Sequence, residues 1–277
     1  MPELPDVETI RTVIEPLVVG RQVICAEVCH PQIIAYPDAG SFSALISGQI
    51  ISGVYRRGKY LRFQFQNGDS VYLHLRMTGQ LLVTPPEYPM EKHTHLVMPL
   101  SGGSQIRYID VRRFGRFWYI RSEESAAMTG IDKLGLEPSD EHLTADYLKA
   151  NLGGRKKPIK EMLHDQSVIA GIGNIYSDEI LYEAGIFPET KCSDLSDDEW
   201  RRLAVQIPAV IQWGIELNRT TPEAYLAGKG KDYRNTPFLK AYGHVGQRCG
   251  KCGTAFEKIT VGGRSSTFCP NCQRKRI

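Results

Sequence analysis

Apolar residues at Val7, Ile10, Ile14 and Leu17 recur at helical spacing behind Pro5, and the run stops at Gly20. Proline suits a first turn, where its missing N–H has no intrahelical partner to lose, so a helix is predicted that presents its start to Pro2 and Glu3. From Gln22 to Tyr119 the period shortens. Runs rich in Val, Ile, Tyr and Phe (VICAEV, LRFQFQ, VYLHLRM, HLVMPL, RFWYI) are separated by Gly-Lys, Asn-Gly-Asp and Ser-Gly-Gly, the turn chemistry of consecutive strands. Ala126 to Gly135 reads as a connection. Helical spacing returns at Glu141–Asn151, Lys157–His164, Asn174–Ala184 and Ser196–Glu216, with Asn174 and Ser196 as caps. Beyond that, short strands surround cysteines. The prediction is an α+β chain: an N-terminal β-sandwich with flanking helices over residues 2–130, a connection over 131–150, a helical domain over 151–240 and a cysteine-bearing hairpin over 241–277.

With 277 residues, 42% of them hydrophobic, the chain can bury a sizeable core in about two domains. No apolar run approaches the roughly 20 residues needed to span a bilayer, and Met1 to Gly20 lacks the charged-then-apolar pattern of a secretory signal. A cytoplasmic location and no membrane association are expected. Seven cysteines leave one over in any disulfide scheme, which also favours a reducing compartment. Cys25, Cys29 and Cys192 are expected to pack as small apolar groups. The net charge of +3 is unevenly spread: from Gly228 to Ile277 eleven Lys or Arg face two acidic residues, giving +9 there and −6 elsewhere. A polyanion is the natural partner of such a tail.

Cys249-x2-Cys252 and Cys269-x2-Cys272 carry the strongest purely physical signal. Two thiolate pairs on two knuckles complete a tetrahedral site with no open position, so one structural zinc ion is expected, supplying folding free energy to a segment too small for its own core. Between the knuckles, Gly262-Gly263 suits a tight hairpin that presents Arg264. At the other end, removal of Met1 would leave Pro2 as a secondary amine beside the Glu3 carboxylate, a nucleophile next to a proton-transfer group. A terminal amine with a pKa of roughly 8 is partly neutral at neutral pH, unlike lysine. Gly171, Gly173 and Asn174 join two amphipathic helices, and the second starts where free backbone N–H groups suit a phosphate.

PELPDVETIR at the start, GKYL at Gly58–Leu61, HLRMTGQL at His74–Leu81, DVRRFGRF at Asp110–Phe117, AGIGNIYSDEIL at Ala170–Leu181 and the terminal cysteines follow one another in an order that resembles the formamidopyrimidine-DNA glycosylase family, whose superfamily also holds the endonuclease VIII enzymes. The resemblance spans nearly the whole chain. It implies a helix-two-turns-helix domain, and a base-excision-repair glycosylase and abasic-site lyase that removes ring-opened and 8-oxo purines from double-stranded DNA as a monomer, in the bacterial cytoplasm and nucleoid. Pro2 is the implied nucleophile of a Schiff-base mechanism, Glu3 the proton-transfer group, and Lys59 and Arg264 assist β- and δ-elimination. His93, Arg112, Lys156 and Asn174 are the implied DNA contacts, while Met77, Arg112 and Phe114 fill the gap left by the extruded nucleotide. Such a gap calls for an apolar wedge, a ring and a donor.

Two departures stand out. Asp6 occupies a position where the family commonly has glutamate, and after Trp213 the usual lesion-covering residues find no match, their place taken by the cationic Gly228–Arg234. An altered lesion pocket is expected. An endonuclease VIII-like enzyme for oxidised pyrimidines and a non-catalytic zinc-ribbon nucleic-acid binder are the alternative readings.

Overall fold

The computed structural model describes residues 1–231 and 238–275. The chain forms two compact units, one built from Met1–Asp132 with the segment that begins at Asn218, the other from Lys133–Leu217 with the C-terminal ribbon.

In the first unit, α1 (Leu4–Val18) is followed by β1 (Glu27–Val28), β2 (Ile34–Tyr36), α2 (Ala39–Ile46) and the strands β3 (Ile51–Arg57), β4 (Tyr60–Phe65), β5 (Ser70–His74), β6 (Gly79–Thr84), β7 (Thr94–Pro99), β8 (Gln105–Asp110) and β9 (Arg116–Ile120). They form a four-stranded sheet ordered β1-β7-β8-β6 and a five-stranded sheet ordered β2-β9-β5-β4-β3. Alternate residues of both sheets, including Phe63, Phe65, Val71, Leu81, Met98, Ile106 and Phe117, share one core with Val7, Ile10 and Ile14 of α1. This is the expected sandwich. Cys192 is buried, but Cys25 and Cys29 are exposed, contrary to expectation. They flank β1, a two-residue edge strand that among the described residues pairs only with β7, so little sheet is there to cover them.

The second unit contains α3 (Ala145–Leu152), α4 (Ile159–Met162), α5 (Asn174–Ala184) and α6 (Asp197–Leu217), then the antiparallel pair β10 (Glu257–Val261) and β11 (Arg264–Phe268). Ser196 caps α6 through a reciprocal exchange with Glu199, as expected. Asn174 does not cap α5. Gly173 takes that place, with extended backbone, and Asn174 is the first helical residue.

The helical domain expected over 151–240 is divided differently. After α6 the chain forms α7 (Pro222–Ala227), capped by Thr221, and α7 belongs to the first unit. Its Tyr225 is buried in the sandwich core and donates its hydroxyl to the Leu81 carbonyl at 3.0 Å. A buried ring with a satisfied hydroxyl is a strong anchor. Among the described residues no helix is long and apolar enough to cross a membrane.

Candidate functional site

Pro2 and Glu3 lie buried at the N-terminus of α1, whereas Met1 ahead of them is 49% exposed. Glu3 is the cap of the helix: its carboxylate accepts the Asp6 N–H while its own N–H donates to Asp6 Oδ2 at 2.7 Å. Such a reciprocal box fixes the rotamers of both acids. Asp6 also takes Asn218 Nδ2 at 3.5 Å, and Thr9 Oγ1 donates to the Asn218 carbonyl, so the start of α1 is tied to the segment that leads into α7. Farther along, Glu8 binds Arg56 of β3 at 2.8 Å and Arg11 at 2.6 Å. Burial opposes its charge, but the two guanidinium groups prevail and hold its carboxyl below the usual range.

Lys59 sits with Gly58 in the two-residue turn between β3 and β4, where Arg57 pairs with Tyr60 and Gly58 has a φ of +53°. A lysine in such a turn is ordinarily solvated, yet Lys59 is only 6% exposed. His74, paired with Tyr60 across the sheet, has its pKa lowered to about 3, chiefly by burial and then by the charges of Arg76 and Lys59. Its Nδ1 accepts the Arg76 N–H at 3.0 Å, which puts the proton of the neutral ring on Nε2.

Met77, Arg112 and Phe114 come together on two neighbouring loops of this unit. Arg112 lies over the Phe114 ring at 4.6 Å and its Nη1 reaches Met77 Sδ at 2.9 Å. Both apolar side chains are about half exposed, an unfavourable setting for large apolar groups without a partner. His93 is half-buried beside His95, and its carbonyl accepts the Asp110 N–H. In the cationic segment Lys229 pairs with Glu91 at 2.9 Å, and Gly230 packs on Tyr225 and Leu82. Asp232, Tyr233 and Arg234 of that segment lie outside the described residues.

In the second unit Lys156 is exposed ahead of α4, and Asn174 begins α5 with its side-chain oxygen buried and unpartnered among the described residues. Gly262 and Gly263, at φ +55° and +74°, form the predicted two-residue turn, leaving Arg264 exposed at the start of β11. The root of that strand is held by residues the sequence reading missed. Lys160 donates to the Ser265 carbonyl at 2.8 Å and to Asp178, whose carboxylate also takes the Ser266 hydroxyl at 2.7 Å and the Thr267 N–H at 3.0 Å. Glu179, next in line, accepts the N–H groups of Lys240, Ala241 and Tyr242. The available signal was a lysine among apolar helix positions in PIKEML, and two adjacent acids inside the otherwise apolar SDEIL.

The sulfur atoms of Cys249, Cys252, Cys269 and Cys272 all lie within 4.8 Å of one another. Zn–S bonds near 2.3 Å give a tetrahedron with edges of about 3.8 Å, so the four thiolates fit one zinc ion. The Tyr182 hydroxyl reaches Cys249 Sγ at 3.3 Å, an outer contact of the kind that orients thiolate ligands.

Three family models match the chain. Residues 1–117 match the formamidopyrimidine-DNA glycosylase N-terminal domain, residues 134–225 the H2TH domain of the same enzymes, and residues 246–274 the zinc finger found in these glycosylases and in isoleucyl-tRNA synthetases. Formamidopyrimidine-DNA glycosylase of Moorella thermoacetica is 42% identical over 94% of each chain, and that of Pelotomaculum thermopropionicum 40% over 99% of each. The Lactococcus lactis enzyme, solved with abasic-site DNA, superposes with a TM-score of 0.89 at 34% identity over 99% of this chain and 100% of that one. Matched by all three domain models and by full-length relatives at about 40% identity, the chain belongs to the formamidopyrimidine-DNA glycosylase family.

Proposed function

We propose that this glycosylase is bifunctional, excising ring-opened and 8-oxo purines from double-stranded DNA and cutting the strand at the resulting abasic site. Once Met1 is removed, the Pro2 amine attacks C1′ of the extruded nucleotide. The base leaves with the C1′–N bond pair, and Glu3 delivers the proton that opens the sugar. The iminium that forms at C1′ acidifies the C2′ hydrogen, so loss of that proton expels the 3′ phosphate, and a second elimination expels the 5′ phosphate. Lys59 and Arg264 assist these steps. His93, Arg112, Lys156 and Asn174 hold the DNA, and Met77, Arg112 and Phe114 occupy the vacated stack. Zinc, when bound, supplies a cross-link that folds the ribbon.

The observation that carries this reading is the state of Glu3: a carboxylate withdrawn from solvent, locked by its capping exchange with Asp6 and adjacent to a buried Pro2 behind an exposed methionine. Relatives solved with abasic-site, Fapy-dG and carbocyclic 8-oxo-G DNA support the substrate class. Borohydride trapping on matched duplexes carrying each lesion tests it. Covalent adducts on ring-opened and 8-oxo guanine are expected. A preference for oxidised pyrimidines would favour the endonuclease VIII-like reading, and binding without any adduct would favour the non-catalytic one.

A further inference from the structure

The loop Leu75–Thr78 between β5 and β6 carries Met77, and the loop Val111–Gly115 between β8 and β9 carries Arg112 and Phe114. Each loop contains one non-glycine residue in the left-handed region, Arg76 at φ +55° and Arg113 at φ +59°. Side chains other than glycine adopt that conformation only where surrounding bonds enforce it. Arg76 donates its N–H to His74 Nδ1 at 3.0 Å and Arg113 its N–H to the Asp110 carbonyl at 3.3 Å, and the two loops meet at the Asp110 side chain. Its carboxylate is wholly buried and fully subscribed: Oδ1 accepts the Thr78 hydroxyl and the Arg112 N–H, and Oδ2 accepts the Tyr108 hydroxyl and the Gly115 N–H, both at 2.9 Å. Thr78 Oγ1 in turn accepts the Arg112 N–H at 3.1 Å. The packing leaves no slack, since a Cβ at Gly115 would stand 1.7 Å from the Tyr108 hydroxyl and one at Gly79 would stand 2.7 Å from it.

We infer that Thr78 and Asp110 are positioning residues that yoke the two loops, so that Met77, Arg112 and Phe114 enter the duplex as one preassembled body. Of the four bonds to the Asp110 carboxylate, that from the Thr78 hydroxyl is the one that crosses between the loops; the other three are made within the strand and loop of Asp110 itself. An unyoked pair of loops would have to be ordered during insertion, at a cost in rate. Thr78→Val keeps the shape and removes only the link, while Thr78→Ser keeps the hydroxyl.

This inference rests on the proposed void-filling role, so two readouts are paired. Insertion is followed by the fluorescence of 2-aminopurine placed next to a lesion in duplex DNA, which needs no chemistry. Borohydride trapping on a single-stranded abasic oligonucleotide needs the chemistry but leaves no void to fill. Thr78→Val is expected to slow insertion about tenfold, the scale of one lost buried hydrogen bond, to lower duplex trapping relative to single-strand trapping by a similar factor, and to be rescued by Thr78→Ser. Insertion as fast as native in Thr78→Val would overturn the yoke, as would parallel losses on single and double strands. Native insertion without any adduct would instead refute the lyase reading and leave the Thr78 comparison decisive. Should Thr78→Val fail to fold, a double-mutant cycle of Met77→Ala and Phe114→Ala decides: coupled losses support a single body, and additive losses refute it.

Discussion

Lys160 and Asp178 meet at 2.5 Å with 1% and 0% of their side chains exposed. A buried pair is worth little by itself, because two charges must leave water to form it. Removing one partner is a different matter. Here Asp178 also holds Ser266 and Thr267, and Lys160 holds the Ser265 carbonyl, so the pair fastens α4, α5 and the strand that starts at Arg264.

Asp178→Ala is therefore expected to destabilise the second unit by about 3–5 kcal/mol, the range for a stranded buried charge. Lys160→Met combined with Asp178→Leu is expected to recover part of that loss while still leaving the Thr267 N–H unpaired. Urea denaturation of the three proteins measures both. A single variant that unfolds at the native midpoint would show that the knot does not hold the strand.

His74 makes stability depend on pH. Its folded pKa lies near 3 and its ordinary value near 6.5, so the unfolded chain takes the proton first. The contribution is complete above about 6.5 and is lost as pH falls, by at most about 1.4 kcal/mol per pH unit, levelling near 3. Denaturation midpoints at pH 7.5 and 5 are expected to differ more in the native protein than in His74→Gln. Equal differences would assign the acid sensitivity to other groups.

Chelation of the zinc, or Cys269→Ser, is expected to loosen the ribbon and weaken DNA binding while the sandwich keeps its melting transition. The β10–β11 strands retain their tether to Asp178, so protection from hydrogen exchange should fall at the cysteine knuckles more than at Thr267. Uniform loss across the ribbon would mean that the metal alone orders it.

Glu3→Gln separates capping from proton transfer, because the amide oxygen can still accept the Asp6 N–H. The helix should persist and excision should fall by about 10²–10⁴-fold, the range for removing a general acid or base. Cutting of a preformed abasic site should suffer less. Extending the chain ahead of Pro2 should abolish the trapped adduct altogether; adducts at native yield would exclude the terminal amine as nucleophile.

Local chemistry was legible in the sequence wherever one turn or one period sufficed. The Gly262-Gly263 turn, the spacing of the four cysteines, the bounds of α5 and the strand-rich sandwich each follow from neighbouring residues, because dihedral preference and side-chain periodicity act within a few positions. Only the tertiary structure decided which core α7 joins, that Lys59 is buried in a turn, that Gly173 rather than Asn174 caps α5, and that Cys25 and Cys29 face solvent. The same holds for Asp110 and Lys160. Asp110 stood in a recognised motif and Lys160 in a recognised helix, but their roles depend on partners 32 positions away at Thr78 and 105 positions away at Ser265. A buried charge is tolerated only where donors or acceptors from distant segments converge on it, and that convergence is a property of the folded chain.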